Sequence, residues 1–251
     1  MDIQRDKHIL ASWLRNAQQI VFLTGAGMST ESGIADFRSA DGLYASGVNE
    51  SVFDIAVFDR DPGHFYQFAR RFLKAIRQAR PHAGHFAMAA LATEFRKNVH
   101  ICTQNIDSLH QDAGSPIVHP LHGTLKTFHC RKCLKRLEDQ SIWAAVAAGD
   151  IPRHAACGGI LKPDIVFFGE LLPKEVYAAA EEAVRRADVL VVAGTSLAVY
   201  PAAALPGCRS ADCRLVIINR DPTPLDAEAD LVFHEPIGSV LGQVADQLRY
   251  E

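Results

Sequence analysis

The chain has 251 residues, 26 Lys+Arg against 29 Asp+Glu, a formal net charge of −3 and 48% apolar residues. That apolar content excludes a mainly disordered chain, and the near balance of charge excludes a strongly basic nucleic-acid binder. No apolar run approaches the roughly 18–20 residues of a membrane helix, and Met1 to His8 carry charge without an apolar signal core. The expectation is a cytoplasmic protein with no membrane and no specific nucleic-acid partner. Its oligomeric state is not legible, and a monomer is compatible with every motif.

In chain order, residues 4–17 place Ile9, Leu10, Trp13 and Leu14 at helical spacing. Ile20–Leu23 is a short apolar strand closed by Thr24-Gly25-Ala26-Gly27. Residues 64–79 and 83–96 read as helices, and Val99–Thr103 as a second strand followed by a loop and a helix through Leu109. Asp164–Phe168, Val189–Ala193 and Leu215–Ile218 are further strand runs. Each ends in a polar or glycine-bearing turn: Gly169-Glu170, Gly194-Thr195-Ser196 and Asn219-Arg220-Asp221. A last helix covers 237–249.

This alternation predicts an α/β fold, a Rossmann-like parallel sheet with helices on both faces. Ligands of such sheets bind at the carboxyl ends of the strands, where these turns collect. Two stretches interrupt the alternation. The expected division is a large lobe of 1–39, 97–125 and 163–251, and a smaller lobe of a helical insertion, 40–96, and a zinc-ribbon insertion, 126–162, with a cleft between them.

Gly25-Ala26-Gly27 lets backbone approach a phosphate, and a following helix can present its N-terminal N–H groups to it. It is not the dinucleotide fingerprint of dehydrogenases. Thr30 stands where that pattern has Gly or Ala, and about 70 residues, instead of ~20, precede the next strand. A hydride-transfer enzyme is therefore demoted. Asp36-Phe37-Arg38 then sets an acid, a ring and a guanidinium side by side.

Of six cysteines, Cys130, Cys133 and Cys157 cluster, and no secretory signal supports a disulfide framework. Cys130-x2-Cys133 and His154-x2-Cys157 have the spacing of two zinc knuckles, predicting tetrahedral Zn²⁺ held by all four. His129 competes as the fourth ligand. Four protein ligands leave no open position, so this zinc is expected to be structural. Cys102, Cys208 and Cys213 read as buried or incidental.

Taken together, the motifs resemble the sirtuin family of NAD-dependent protein lysine deacylases. They are Gly25-Ala26-Gly27-Met28-Ser29 with Ser32-Gly33-Ile34-Ala35-Asp36-Phe37-Arg38, Thr103-Gln104-Asn105-Ile106-Asp107 with Leu109-His110, His122-Gly123, the knuckles, Lys162 to Glu170, Gly194 to Pro201, and Asn219. They run in family order over residues 25–221. Two positions depart: Ala35 stands for the family's Pro, and His154 for its third Cys.

The resemblance implies that NAD is the co-substrate and acyl-lysine protein or peptide the partner. It makes His122 the general base, suited by an unperturbed pKa near ~6.5, and Asn105 the residue positioning the ribose or a water. Cofactor contacts fall to Gly25, Ala26, Gly27, Asp36, Phe37, Arg38 and Gln104, to Asn105, Ile106 and Asp107, and to Gly194, Thr195, Ser196, Asn219 and Ile237. Of these, Ile106 and Asp107 would hold the nicotinamide carboxamide, and Phe37 would shield the reacting centre. The substrate strand would lie between Val166, Phe167, Phe168, Gly169 and Glu170 on one side and Val199 and Tyr200 on the other.

Family members that remove acidic acyl groups carry Tyr-x-x-Arg after the first motif. Here Gly47 stands three residues after Tyr44, so neutral acyl groups are expected, acetyl first. An ADP-ribosyltransferase or NAD hydrolase on the same scaffold is the alternative reading. A non-enzymatic binding module would not need Asn105, Asp107 and His122 together.

Overall fold

The structure is a computed structural model that describes residues 3–250. Met1 and Asp2, the first residues of the charged N-terminus, lie outside the described residues. Helix α1 (Ile3–Asn16) precedes strand β1 (Gln19–Thr24). Helices α2 (Ile55–Arg60), α3 (Pro62–Gln78) and α4 (Ala83–Thr93) lead to β2 (Asn98–Thr103). A four-residue helix α5 (Leu109–Asp112), β3 (Val118–Pro120), β4 (Gly123–Cys130), β5 (Arg136–Leu137), α6 (Ile142–Ala148) and β6 (Leu161–Ile165) come next. The chain closes with α7 (Lys174–Arg185), β7 (Val189–Ala193), β8 (Arg214–Ile218), β9 (Leu231–Phe233) and α8 (Ile237–Tyr250).

Six parallel strands form one sheet in the order β3-β2-β1-β7-β8-β9. The order reverses between β1 and β7, the topological switch point at which doubly wound sheets bind ligands. The strands are apolar on both faces because both are covered. Ile20 and Phe22 of β1 point into a core shared with α1, α4 and α8. Val21 and Leu23, at the alternate positions, point into a core shared with α7 and the short 3-10 helix Ala202–Cys208.

A second sheet, antiparallel in the order β5-β4-β6, sits apart from the first. Asp54 and Asp61 cap α2 and α3 by accepting backbone N–H bonds, and Pro62 stands in the first turn of α3. The two helices pack on this sheet through Phe58, Phe65, Tyr66, Phe128, Trp143 and Phe167. The ring pairs stand 5.0–5.8 Å apart at Phe65–Phe167, Phe58–Phe65 and Phe58–Phe167.

One sequence expectation needs correction, and the structure adds two features the sequence did not announce. The run Asp164–Phe168 is not a strand of the main sheet. The strand is Leu161–Ile165, and it pairs with β4. The helix expected after Gly25 is a 3-10 helix, Ala26–Ser32. Edge strands β3 and β9, three residues each, join the sheet without an apolar run long enough to announce them. Among the described residues, no helix is long and apolar enough to cross a membrane.

Candidate active site and metal centre

The turns after β1, β2 and β7 converge on one cavity of about 480 Å³, which the main sheet walls on one side and the second sheet on the other. Its floor is an interlock of two turns. Gly25 N–H donates to Ala193 O at 3.2 Å and Gly27 N–H to Gly194 O at 2.9 Å. Gly194 has φ +65°, and a Cβ there would lie 2.2 Å from Met28 N. Only glycine tolerates both that dihedral and that approach.

The β2 turn is held against the same floor. The Asn105 side-chain amide donates to Gly25 O at 2.9 Å and Ser29 Oγ at 3.0 Å. Ser29 Oγ donates to Asp107 Oδ2 at 2.6 Å, and Asp107 Oδ1 accepts from Leu109 N at 2.9 Å. Burial pushes the Asp107 carboxyl upward, against the Ser29 hydrogen bond that pulls it down. Gln104 Nε2 donates to Thr195 Oγ1 at 3.0 Å, tying the β2 turn to the β7 turn.

His122 immediately precedes β4 of the second sheet. Its Nδ1 lies 3.0 Å from Gln104 O. A carbonyl only accepts, so Nδ1 carries the proton and Nε2 is the bare nitrogen. Burial holds the ring's pKa below the ordinary histidine value, opposed by the Gln104 hydrogen bond. Val166 N–H donates to His122 O at 2.9 Å, which ties the Val166–Glu170 segment to the histidine. Gly123, φ +79°, has Asp164 O 2.0 Å from where a Cβ would stand, so the strands can cross here only at glycine.

Phe37 packs edge to face on Phe53 at 5.7 Å and also meets Tyr44 at 5.7 Å and Phe72 at 6.5 Å. Asp36 Oδ1 accepts from Ser39 N at 3.0 Å, and Arg38 reaches Glu50 at 3.3 Å on the exposed side. Phe167 is buried among the small-sheet aromatics, while Phe168 is 41% and Tyr200 74% exposed. Glu170 turns inward, accepting from Phe167 N at 2.8 Å and pairing with the buried Lys162 Nζ at 2.7 Å. Lys162 Nζ also donates to Ile165 O at 2.7 Å and lies 4.1 Å from the Phe167 ring centre.

Gly25, Ala26, Gly27, Asp36, Phe37, Arg38, Gln104, Asn105, Ile106, Asp107 and His122 all line this cavity. So do Val166–Glu170, Gly194, Thr195, Ser196, Val199, Tyr200 and Asn219. Ile237 is the exception: it opens α8 at 5% exposure, packed in the main core and absent from the cavity wall. An apolar side chain at a helix start is drawn to the core when the core is beneath it. Sequence reasoning misses Ser29, although it stands in the first motif. It also misses Phe53, which ends the short 3-10 helix Glu50–Phe53, and Phe72 of α3, neither of which carries a chemical signature.

The ligand atoms of Cys130, Cys133, His154 and Cys157 lie within 4.8 Å of one another. Cys130 and Cys157 sulfurs are 3.4 Å apart, and His154 Nδ1 is 3.2 Å from both Cys133 Sγ and Cys157 Sγ. A tetrahedron with Zn–S bonds of ~2.3 Å has edges of roughly 3.8 Å, so the donor set fits zinc. His129 is engaged elsewhere, Nδ1 to Asp164 Oδ1 at 2.8 Å, and does not compete. No disulfide joins any of the six cysteines; Cys102 and Cys213 are buried and Cys208 partly so.

The Sir2 family model matches residues 25–201. The chain is 41% identical over 238 residues to an NAD-dependent protein deacetylase of Clostridium perfringens, covering 93% of this chain and 96% of that protein. It is 41% identical to an NAD-dependent protein deacylase of Ralstonia nicotianae, covering 92% of each. A structure described as Sir2 with a p53 peptide and NAD+ superposes with TM-score 0.87 at 34% identity, over 100% of both chains. Another, from work on the mechanism and regulation of Sir2 enzymes, gives TM-score 0.91 at 35% identity over 98% of both. The chain belongs to the Sir2 family.

Proposed function

We propose that this protein is an NAD-dependent protein-lysine deacetylase that also accepts other neutral acyl groups, moving the acyl group of acyl-lysine to ADP-ribose and releasing nicotinamide. The observation that carries the reading is His122, whose Nδ1–H on Gln104 O leaves Nε2 as a neutral acceptor on the cavity wall. Bound NAD supplies an electrophilic ribose carbon with nicotinamide as the leaving group, toward which the substrate's acyl oxygen is the nucleophile.

The chain's residues then divide the work. Backbone at Gly25–Gly27 and at Gly194–Ser196 holds the phosphates, and Asn219 the adenosine ribose. Ile106 and Asp107 hold the carboxamide, and Asn105 the other ribose. The lowered His122 pKa keeps the imidazole neutral near pH 7, so it can take a ribose hydroxyl proton. Phe37, braced by Phe53 and Phe72, excludes water. An extended peptide binds between Val166–Glu170 and Val199–Tyr200, mainly through its main chain, so one site serves many sequences.

Zinc on Cys130, Cys133, His154 and Cys157 is structural. β4 runs eight residues from Gly123 to Cys130, roughly 25 Å of strand between His122 and the first ligand. The large and small lobes are the main sheet with its helices, and the second sheet with α2, α3 and α6. The free thiols suit a reducing compartment, and we assign the cytoplasm.

The test is an acetyl-lysine peptide incubated with NAD+, beside His122→Ala. Deacetylation is expected from the wild type and lost in the variant, which still binds NAD. NAD consumption with the peptide left acetylated would overturn the reading in favour of hydrolysis or ADP-ribosyl transfer.

A further inference from the structure

Three histidines outside the cavity wall lie beneath the β2 turn. His85 is 0% and His110 1% exposed, with ring centres 4.9 Å apart. His85 and His82 rings are 4.4 Å apart. His85 Nε2 and His110 Nδ1 are both buried without a hydrogen-bond partner. The surrounding bonds fix each tautomer. His82 Nδ1 accepts Gly84 N–H at 3.1 Å, so its Nε2–H donates to Met28 O at 2.8 Å. His85 Nδ1 accepts His82 N–H at 3.3 Å, which puts its proton on the orphaned Nε2.

His110 faces Thr24 through Nε2 at 3.0 Å. Thr24 Oγ1 donates to Thr103 Oγ1 at 2.9 Å, and Thr103 Oγ1 accepts Asn105 N–H at 3.0 Å. With the Thr24 hydroxyl proton committed to Thr103, His110 Nε2 must be the donor. Its Nδ1 is then a bare acceptor and His85 Nε2 a bare donor, on rings whose centres are 4.9 Å apart. No direct hydrogen bond joins the two orphans; they are complementary, and one buried water between them would satisfy both.

We propose that His110, set in its tautomer by His85, is a positioning residue that holds the backbone of Asn105 through Thr24 and Thr103. From His110 the hydrogen bonds lead through Thr24 to Thr103 Oγ1, which accepts from the Thr24 hydroxyl on one side and from Asn105 N–H on the other. Burial supports the neutral state it needs, lowering His85 to about 2 and His110 to about 3. The functional half of this proposal rests on Asn105 holding the nicotinamide-side ribose, as proposed for this site.

The experiment has two arms. Long-range ¹H–¹⁵N spectra of the wild-type protein should show both His85 and His110 protonated on Nε2. In kinetics with acetyl-lysine peptide and NAD+, His110→Phe and the isosteric Thr103→Val should lower kcat about tenfold to a hundredfold, the cost of a ~1 Å misplacement. Peptide KM should stay unchanged. His110→Gln, which keeps a donor toward Thr24, and Thr103→Ser should restore most of kcat. A proton on Nδ1 of His110, or a wild-type kcat in Thr103→Val, would overturn the proposal. Absence of turnover in the wild type would refute the catalytic reading and leave the tautomers to decide the relay.

Discussion

Gly194→Ala probes the point where fold and site are the same object. The new methyl would sit 2.2 Å from Met28 N and 2.5 Å from Gly27 C, both backbone atoms that no rotamer change can move. The turn after β1 must retreat by roughly 1 Å to restore van der Waals contact. That retreat breaks the 2.9 Å bond from Gly27 N to Gly194 O, a loss of about 1 kcal/mol. The φ of +65° adds about 1–2 kcal/mol for a residue with a Cβ. The sum is about 2–4 kcal/mol with residual strain, or roughly 5–15 °C in Tm for a chain of this size. Because the displaced turn is the proposed phosphate cradle, KM for NAD should rise about tenfold or more. Thermal denaturation and NAD titration read both effects. Gly207→Ala is the control, since a Cβ there meets nothing within 4 Å. A Gly194→Ala protein with the Tm and NAD KM of the control would refute the interlock.

The same geometry sets four further outcomes. Metal analysis should find about one zinc per chain, and His154→Ala should lose zinc and stability while wild-type zinc content in that variant would remove His154 as a ligand. Lys162→Met should raise peptide KM more than NAD KM, because it frees Ile165 O and Glu170 and so loosens the Val166–Glu170 segment. An unchanged peptide KM would deny Lys162 that role. The acid limb of kcat/KM should lie below the ordinary histidine pKa, since burial lowers His122 and only the neutral ring accepts the proton, and a limb above that value would contradict the base assignment. Stability should fall on acidification below pH ~6.5, where the unfolded chain takes up protons. His85 and His110 refuse those protons until about 2 and about 3, so their share of stability is complete above that pH and is lost progressively below it. Urea denaturation across pH 4–8 in His110→Gln should show a shallower acid slope than wild type.

Legibility in the sequence depends on whether a residue's chemistry repeats along the chain. β1, β7 and β8 are legible because a strand buried on both faces is a continuous apolar run. Leu161–Ile165 is misplaced because Lys162 and Pro163 interrupt its apolar pattern, and the lysine is nevertheless 1% exposed, neutralised by Glu170. Such a pairing joins residues eight apart through a fold that one-dimensional periodicity does not contain. The candidate site is legible through its motifs, since Asn105, Asp107 and His122, which line the cavity, stand in unusual local strings. Ile237 rests on resemblance alone, and packing places it in the core. Phe53 and Phe72 are not legible, because a lone aromatic in a short 3-10 turn or on α3 reads as core until its neighbour is known to be a cavity. His110 stands in a motif, but nothing in the sequence shows that it meets Thr24 of β1 or that its ring lies 4.9 Å from that of His85 in α4; only the tertiary structure brings them together.

The central claim is that acyl transfer and nicotinamide release are one coupled reaction at His122. The most direct measurement is the stoichiometry of a single reaction with acetyl-lysine peptide and NAD+, read by mass spectrometry. The account predicts equal amounts of deacetylated peptide, nicotinamide and acetyl-ADP-ribose, all abolished in His122→Ala. Nicotinamide and free ADP-ribose formed without loss of the peptide's acetyl group would contradict it.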